Sequence, residues 1–400
     1  MIITVALVAV VAVLAALLLP HALVYYTALE IQGKLYPLTL NRASVCRTVQ
    51  EAGPLGACEE LLVHEPSAQV FFICEPDFRE RAKWFPHMDR FDPTAKPGGR
   101  ISVFHAKTNK VRHLVFTDES GAVDERFRNL SPHGGSLIEE DPSTLIFAVV
   151  NHPVSKDSRI ELFRHVISSD SLQHMETIVD HVLLPRPNSV ALVKSEESDD
   201  GSKVVSFYAT NSQTGQSVLS RKIEKYLRRQ TGQVVFWDGE SRKMRVVASD
   251  IRYANGITTS YGGDTVYVAS TTTPGVLVYE VKSHGRKLRL RELLETTPLL
   301  PDNISLEPIS GNILVTGPIG PLEISKYQLD PATKRQPGMV MRFSNTSSEE
   351  RFLGRQYEKK IELRDDGSVI NFPTSAVVLG NKLFVGGVLE KDVIVCDIGI

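Results

Sequence analysis

A pair of short apolar strands recurs six times along the chain, and this repeat constrains the fold more than any other feature. The segments carry β-branched and aromatic residues, and a glycine or a charged residue usually opens the second strand of a pair. Successive pairs begin roughly 50 to 75 residues apart, a spacing typical of repeat architectures. The predicted pairs are Gln69–Cys74 with Arg100–Ala106, Thr144–Val150 with Arg159–Val166, Lys203–Thr210 with Gln233–Trp237, Asp264–Ser270 with Gly275–Val281, Asn312–Gly317 with Leu322–Tyr327, and Lys382–Gly386 with Asp392–Cys396.

Strand pairs at this period indicate four-stranded propeller blades, since further strands such as Lys243–Ala248 lie between them. A parallel α/β fold would need a helix of about ten or more residues between strands. The only strong helical pattern is Ser217–Arg229. Two stacked sheets remain the alternative, because short strands alone do not fix closure into a ring. We therefore predict an all-β fold, a six-bladed β-propeller over residues 35–400.

The N-terminal segment Ile2–Leu19 contains no charged side chain, and it is long enough to cross a bilayer as a hydrophobic helix. A cleaved secretory signal would carry basic residues before the apolar run and small residues at the cleavage site. Here no Lys or Arg precedes the run, and Pro20 and His21 follow it. We expect residues 1–28 to be a transmembrane anchor or an uncleaved signal, with the propeller in the lumen of the secretory pathway or outside the cell.

The balance of charge and the cysteine positions narrow the function further. A net charge of −2 gives no basic surface for nucleic acid. The four cysteines form no CxxC pair, which excludes a zinc ribbon or a thioredoxin motif.

Cys46 and Cys396 bracket the propeller, and they would bond if a strand near Cys46 completes the last blade in an oxidising compartment. Buried free thiols are the alternative. Cys58 and Cys74 flank a predicted hairpin, so a second, local bond is also open.

The helical pattern at Ser217–Arg229 places apolar residues on one side and basic residues on the other. Such a helix can lie on an anionic membrane surface. The alternative is a helix packed on a blade with a solvated basic face. The apolar residues are Val218, Leu219, Ile223, Tyr226 and Leu227, and the basic ones are Arg221, Lys222, Lys225, Arg228 and Arg229.

Polar residues that carry chemistry cluster beside the predicted strands, although no P-loop, GxSxG or HExxH motif occurs. Loops at strand ends converge on the central channel of a propeller. Five of these residues would offer only oxygen ligands, which suits calcium and not zinc or copper: Glu59, Asn188, Asn255, Asp302 and Asn303. Taken singly, each Asn is more often part of a turn or a cap. Taken singly, His133 and His152 are more often exposed or bonded to a carbonyl.

Five stretches, in this order along the chain, resemble the serum paraoxonase/arylesterase family, and the resemblance covers roughly Leu35–Cys396. They are Ser131-Pro132-His133-Gly134, Asn151-His152-Pro153, Tyr253-Ala254-Asn255-Gly256-Ile257, Asp302-Asn303-Ile304-Ser305 and Val395-Cys396. The resemblance implies a six-bladed propeller, an uncleaved N-terminal segment, two calcium ions in the channel, and a disulfide between the first and last strands. It also implies hydrolysis of lactones and aryl esters.

The resemblance assigns roles to individual residues. It makes Glu59, Asn188, Asn255, Asp302 and Asn303 the ligands of a catalytic calcium. His133 would take the proton of the attacking water, and His152 would relay it. A second, structural calcium would be bound by Glu60, the carbonyl of Gly135 and the position of Ser189.

Departures from the family limit how far these roles transfer. Ser189 replaces an acidic residue, which puts the second calcium in doubt, and Ser212 stands near another family acid. Gly317 and Pro318 stand where some members carry Cys and His.

We predict a calcium-dependent esterase or lactonase with a small-molecule substrate. The alternative is a catalytically weak, calcium-plugged propeller that binds a ligand or a partner. Asn345 opens a glycosylation sequon that would report lumenal exposure.

Overall fold

The computed structural model describes residues 22–37, 46–49, 55–193, 204–215, 217–331, 333–346 and 356–398. Its strands form six antiparallel sheets, arranged as the blades of a propeller. The innermost strand of each blade contacts that of the next, and the contact between the first and sixth blades closes the ring. The predicted six-bladed propeller is confirmed.

We number the blades in chain order and give the strands of each from the channel outward. Blade 1 contains Ala57–His64, Gln69–Glu75, Arg100–His105 and Lys110–His113, and blade 2 contains Pro132–Asp141, Thr144–Asn151, Arg159–Val166, Ser171–Ile178 and the parallel edge strand Val115–Thr117. Blade 3 contains Pro187–Val193, Ser206–Asn211, Gly232–Asp238 and Lys243–Ile251, and blade 4 contains Ala254–Thr259, Thr265–Ser270, Gly275–Lys282 and Lys287–Glu295. Blade 5 contains Ile304–Leu306, Ile313–Pro318, Gly338–Asn345 and Tyr357–Asp365, and blade 6 contains Pro373–Leu379, Lys382–Gly387, Ile394–Asp397 and Cys46–Thr48. Trp84–Phe85 and Arg90–Phe91 form a separate two-stranded ribbon.

The outermost strand of blade 6 comes from the N-terminal side of the chain and closes the ring covalently. Cys46 lies opposite Cys396 in the antiparallel register, and their Sγ atoms are bonded. The second pair, Cys58 and Cys74, is bonded across the first hairpin of blade 1. Both the predicted bond between Cys46 and Cys396 and the local bond that the sequence leaves open are present.

The core lies between neighbouring blades, because the side chains of a strand alternate between the two faces of its sheet. Phe71 of blade 1 packs against Phe147 of blade 2, with ring centroids 4.9 Å apart. Similar buried clusters join the other neighbouring blades. Each blade is therefore stabilised from both sides, as a closed ring requires.

One predicted strand is wrong, since Leu322–Tyr327 lies within the helix Pro321–Leu329. Gly320 adopts a positive φ of 76°, which turns the chain out of the preceding strand. Pro321 then occupies the start of the helix, where its fixed φ and missing N–H favour the first turn. The strand that pairs with Ile313–Pro318 in blade 5 is Gly338–Asn345.

The described residues contain three further helices, 22–35, Phe78–Lys83 and Val218–Tyr226. The last lies within the predicted span Ser217–Arg229, and Ser217 caps it by accepting a hydrogen bond from the backbone N–H of Ser220.

The polarity of this helix differs from the expectation. Arg221, predicted on the solvated basic side, is buried and forms an ion pair with Asp89 at 2.7 Å. The apolar residues Leu219 and Ile223 are exposed, so this face does not pack on a blade. Helix 22–35 contacts this region, because the Tyr26 hydroxyl donates to the Lys225 carbonyl at 2.9 Å.

Within the described part of the chain, none of the helices combines the length and the hydrophobicity needed to cross a membrane. The predicted anchor segment Ile2–Leu19 lies outside the described residues.

Candidate functional site

Every inner strand of the propeller begins at the same mouth of the channel. The predicted ligand residues and His133 lie at these beginnings, and His152 directly follows the second strand of blade 2. Hydrogen bonds and close contacts link the starts of neighbouring inner strands around the ring. They join Glu59 to His133 at 3.6 Å, Ser189 through Thr210 to Asn255 at 3.2 and 2.6 Å, Asp302 to Gly256 at 2.9 Å, Asn303 to Thr374 at 3.0 Å, and Thr374 to Glu59 at 2.9 Å.

β-Bulges at these strand starts aim the side chains. The pairing register shifts by one residue near the beginning of the inner strands of blades 1, 2, 3, 4 and 6. In each case the extra residue belongs to the inner strand. A bulge leaves that residue outside the ladder and changes the direction of its side chain. Glu59, for example, is the unpaired residue between Cys58 and Glu60.

Two glycines allow the strand starts to approach closely. A Cβ atom on Gly134 would lie 2.7 Å from the Ser189 Cα, and one on Gly256 would lie 2.6 Å from the Asn303 Cα. Only a residue without a side chain fits at either position. The His-Gly and Asn-Gly dipeptides of the sequence thus mark places where inner strands meet.

Four buried oxygens of the predicted calcium ligands have no hydrogen-bond donor in the described residues: Glu59 Oε2, Asn188 Oδ1, Asn255 Oδ1 and Asn303 Oδ1. The amide of Asn303 donates to Glu59 Oε1 at 2.8 Å, which directs its own oxygen elsewhere. Burial of an acceptor without a partner costs about 1–3 kcal/mol. An oxygen-only set that includes carboxylates fits a hard cation such as calcium.

The carboxyl groups of the site lie close enough to disturb one another. Burial raises the pKa of Glu59 to about 7, against the opposing effects of the Asn303 hydrogen bond and the Arg81 charge. Burial, reinforced by the charge of Glu59, raises the pKa of both Glu60 and Asp302 well above the usual range. A bound cation would reverse these shifts by stabilising the ionised forms.

The residues assigned to the second calcium also meet at this mouth. Glu60 Oε1 accepts from the Ser375 hydroxyl at 2.8 Å and from the Leu61 N–H at 3.3 Å, and the backbone of Gly135 also donates to this carboxylate. The Ser189 hydroxyl is buried and has no partner among the described residues. The Glu60 carboxylate already accepts three hydrogen bonds. The residues assigned to the second calcium therefore have fewer unpaired oxygens than those assigned to the catalytic calcium.

The two predicted catalytic histidines form a hydrogen-bonded pair beside the oxygen cluster. His133 Nδ1 lies 3.2 Å from His152 Nε2, and His152 Nδ1 lies 2.8 Å from the Ser158 hydroxyl. His133 Nε2 is 3.6 Å from Glu59 Oε1. The Trp84 indole N–H donates to the His152 carbonyl at 2.7 Å and fixes that loop.

Burial keeps both rings neutral near pH 7. It lowers the pKa of His152 to about 3, assisted by the positive charges of Arg81 and Arg186. It lowers the pKa of His133 well below the usual range, with further contributions from His87 and His152. A neutral ring has a free lone pair and can accept a proton.

Sequence reasoning missed two residues of this site, His87 and Arg81. The ring centroid of His87 lies 4.4 Å from that of His133. The buried guanidinium of Arg81 donates to the Pro132 carbonyl at 2.5 Å and lies 4.8 Å from the centre of the Phe85 ring. Both residues lie in the helix and ribbon that follow the second strand of blade 1. No sequence pattern marks this segment as part of the channel.

The positions that depart from the family are also at or near the site. The Ser212 hydroxyl donates to the Ala254 carbonyl at 2.7 Å, next to the Asn255 position. At Gly317, a Cβ atom would lie 2.0 Å from the Leu300 carbonyl oxygen, so a side chain there requires a local rearrangement. A cavity of about 900 Å³ extends from Glu60 towards the opposite mouth of the channel, where His64 and Glu139 line it.

A family model described as Arylesterase matches residues 80–398, which include nearly all of these residues. The chain belongs to the arylesterase family. It is 31% identical over 315 residues to serum paraoxonase/arylesterase 1 of Mus musculus, covering 78% of this chain and 80% of the relative. The rat protein of the same name (Rattus norvegicus) is 29% identical over 380 residues, covering 94% and 95%. Serum paraoxonase/lactonase 3 of Oryctolagus cuniculus is 29% identical over 308 residues, covering 77% and 78%.

The two disulfides and the arylesterase-family relatives point to the same cellular location. Structural disulfides persist in oxidising compartments, and the family relatives above are named as serum proteins. These observations indicate a protein of the secretory pathway or the extracellular space.

Proposed function

We propose that this protein is a calcium-dependent hydrolase of lactones or aryl esters. The observation that carries the proposal is the set of four unpartnered buried oxygens beside a hydrogen-bonded histidine pair in an arylesterase-family propeller. The names of the relatives include both arylesterase and lactonase. The oxygen set can bind a hard cation, and the histidines can move a proton.

The residues that would hold calcium are Glu59, Asn188, Asn255, Asp302 and Asn303. Their donor atoms are two carboxylates and three amide oxygens, a combination that suits calcium. When bound, calcium supplies Lewis acidity that polarises an ester carbonyl and stabilises the oxyanion.

The histidine pair provides a base with a path for the proton. For His133 Nε2 to accept a proton from water, its Nδ1–H must donate to His152 Nε2, and His152 Nδ1–H must then donate to the Ser158 hydroxyl. The spacings of 3.2 and 2.8 Å allow this arrangement. After protonation, the nearby Glu59 carboxylate stabilises the imidazolium, and His152 can take the proton from Nδ1. His133 is thus the base and His152 the relay.

A panel of lactones and phenyl acetate, assayed with and without a chelator, tests the proposal. We expect hydrolysis of at least one substrate to fall at least a hundredfold with the chelator, since an oxyanion stabiliser contributes roughly that much. Adding back calcium, but not magnesium, should restore the rate, because magnesium demands smaller, near-octahedral coordination. Activity unchanged by chelation would overturn the calcium role, and no hydrolysis with calcium present would overturn the enzyme.

The second calcium should bind weakly, because Ser189 brings no charge to its site. Glu139 and Asp141 were the candidates to compensate for the lost acid. Glu139 instead accepts from His64 at 2.7 Å, and Asp141 caps the turn at Ser143 at 2.8 Å. Both lie towards the far end of the inner strand of blade 2, about 23 Å (Glu139) and about 30 Å (Asp141) from its start at the strand rise per residue. Glu60 is therefore the only acid proposed for this shell.

Replacing Ser189 by Asp should create a tightly held second ion, since calcium affinity rises with the number of charged ligands. We expect about one ion per wild-type chain and two per Ser189→Asp chain, measured by elemental analysis after dialysis against micromolar free calcium. Ser189→Asn, which adds bulk without charge, is the matched control and should retain one ion. Two tightly held ions in the wild-type protein would contradict this reasoning.

Ser212 supports the alternative, a catalytically weak propeller whose calcium closes a binding channel. The hydroxyl of Ser212 is occupied by a backbone carbonyl, so it cannot replace an acid that tunes the histidines. Under this alternative, calcium would bind and the ester panel would show no turnover. Calcium binding and hydrolysis measured on one preparation therefore separate the two functions.

We further propose that residues 1–28 anchor the protein, with the propeller at 35–400 in the lumen or outside the cell. The uncharged run Ile2–Leu19 supports the anchor. Asn345 ends a strand of blade 5 with its side chain exposed, which leaves it accessible for N-glycosylation.

A further inference from the structure

The histidine pair has a third member that the proposed hydrolysis does not use. His87 lies in the 3₁₀ turn Pro86–Met88, and its ring centroid lies 4.4 Å from that of His133 and 5.2 Å from that of His152. One ring nitrogen of each histidine lies within 4.8 Å of those of the other two. His87 is partly buried, whereas His133 and His152 are buried.

Two of the rings have an acceptor beside the nitrogen that points away from the cluster. These acceptors are the Ser158 hydroxyl at 2.8 Å for His152 and the Glu59 carboxylate at 3.6 Å for His133. His87 Nδ1 is buried and has no hydrogen-bond partner among the described residues. Metal-binding histidines usually donate their second N–H to such groups, which fixes the ring and raises the basicity of the ligating nitrogen.

We propose that His87, His133 and His152 form a zinc site, separate from the oxygen cluster, with ligands His87 Nδ1, His133 Nδ1 and His152 Nε2. Three neutral imidazole nitrogens suit zinc and are poor ligands for calcium. Three protein ligands leave a fourth position for water.

The nitrogen spacing fits this assignment. Zinc–nitrogen bonds of 2.0–2.1 Å in a tetrahedral site place two ligand nitrogens about 3.4 Å apart. His133 Nδ1 and His152 Nε2 are already 3.2 Å apart. His87 has to approach by at most about 1.4 Å from the 4.8 Å limit to reach the same spacing. That movement is small for a side chain on a short, partly exposed turn.

Zinc at this position would also inhibit the proposed hydrolysis. It would occupy His133 Nδ1 and His152 Nε2, between which the proton passes in the proposed relay, and Glu59 would lie between the two cations. The zinc site itself goes beyond the proposed function, because its existence depends only on the three rings. Direct binding measurements therefore test it even if the chain hydrolyses no ester.

The test is a zinc titration of the full chain at a constant millimolar calcium concentration, which keeps the oxygen cluster occupied. A chromophoric chelator that binds zinc but not calcium competes with the protein for zinc. We expect one zinc per wild-type chain, with affinity at least tenfold weaker in His87→Gln. His181→Gln, which removes an exposed histidine, is the matched control and should bind like the wild type. Circular dichroism establishes that each variant is folded.

Cobalt replaces zinc in a second measurement that needs no variant. Co²⁺ bound to the wild-type chain should show the intense visible absorption of a four-coordinate ion, and zinc should displace it. Equal zinc affinity in the wild type and His87→Gln would overturn the site. So would the absence of zinc binding, or a weak, six-coordinate cobalt spectrum. If the site holds, the zinc-loaded protein should also lose ester hydrolysis in parallel with zinc occupancy.

Discussion

Replacing Asp302 by Ala should lower kcat/KM for a lactone or aryl ester about a thousandfold or more at millimolar calcium, a loss on the order of 4 kcal/mol in transition-state stabilisation. Asp302 supplies one of the two charges in the proposed ligand set, and calcium affinity depends strongly on charge count. Asn255→Ala should show a similar loss. The bulge at the start of the blade 4 strand holds Asn255 in the mouth of the channel, where its oxygen has no other partner among the described residues.

His133→Gln should be less damaging, with a loss on the order of a hundredfold. The oxygen cluster remains complete in this variant, so calcium binding should be close to that of the wild type. Initial rates over a range of calcium concentrations separate the two classes. Excess calcium should partly rescue Asp302→Ala and should leave His133→Gln unchanged.

An exposed acid provides the control for this series. Glu119 lies on the surface of blade 2, and Glu119→Ala should retain wild-type activity. The proposed roles would be refuted if Asp302→Ala and Glu119→Ala behaved alike. If His133→Gln were the most damaging variant and bound calcium normally, the base would outweigh the cation in the mechanism.

The sequence was most informative where a local pattern corresponds to local structure. The middle strands of the blades follow apolar alternation, and five of the predicted pairs match observed strand pairs. Lys203 of one predicted strand lies outside the described residues. The strand predicted at Leu322–Tyr327 was wrong because its apolar residues fit either a strand or a helix. Gly320 and Pro321 favour the helix.

The site could be predicted only in part, because its geometry comes from the ring. The positions of Glu59, Asn188 and Asn255 beside strands could be read from the chain, but the bulges that aim them depend on the pairing of each strand with its neighbour. His87 and Arg81 lie in a segment between two strands of blade 1 that folds over the mouth of the channel. Their proximity to His133 is a tertiary contact, which no local periodicity indicates.

Removal of the bond between Cys46 and Cys396 should lower the free energy of unfolding by roughly 6 kcal/mol, the largest stability change that we expect from any covalent alteration of the chain. This disulfide closes a loop with a sequence separation of 350, and the bond between Cys58 and Cys74 closes one of 16. In the chain-entropy account, the loop-closure term grows with the logarithm of loop length, so removing the shorter bond should cost only about 3 kcal/mol.

The measurement compares two double variants, Cys46→Ser with Cys396→Ser and Cys58→Ser with Cys74→Ser, by urea unfolding. A loss of this size is a large fraction of the about 5–15 kcal/mol that stabilises a typical domain, so the first variant should unfold at much lower denaturant concentrations than the second. Ester hydrolysis by the folded fraction should persist, because Cys46–Thr48 is the outermost strand of blade 6 and the site lies at the inner strands. Equal destabilisation by the two double variants would show that the bond at the ring closure acts only on its local strand pair. The predicted difference of about 3 kcal/mol would show that this bond restricts the unfolded chain as a whole.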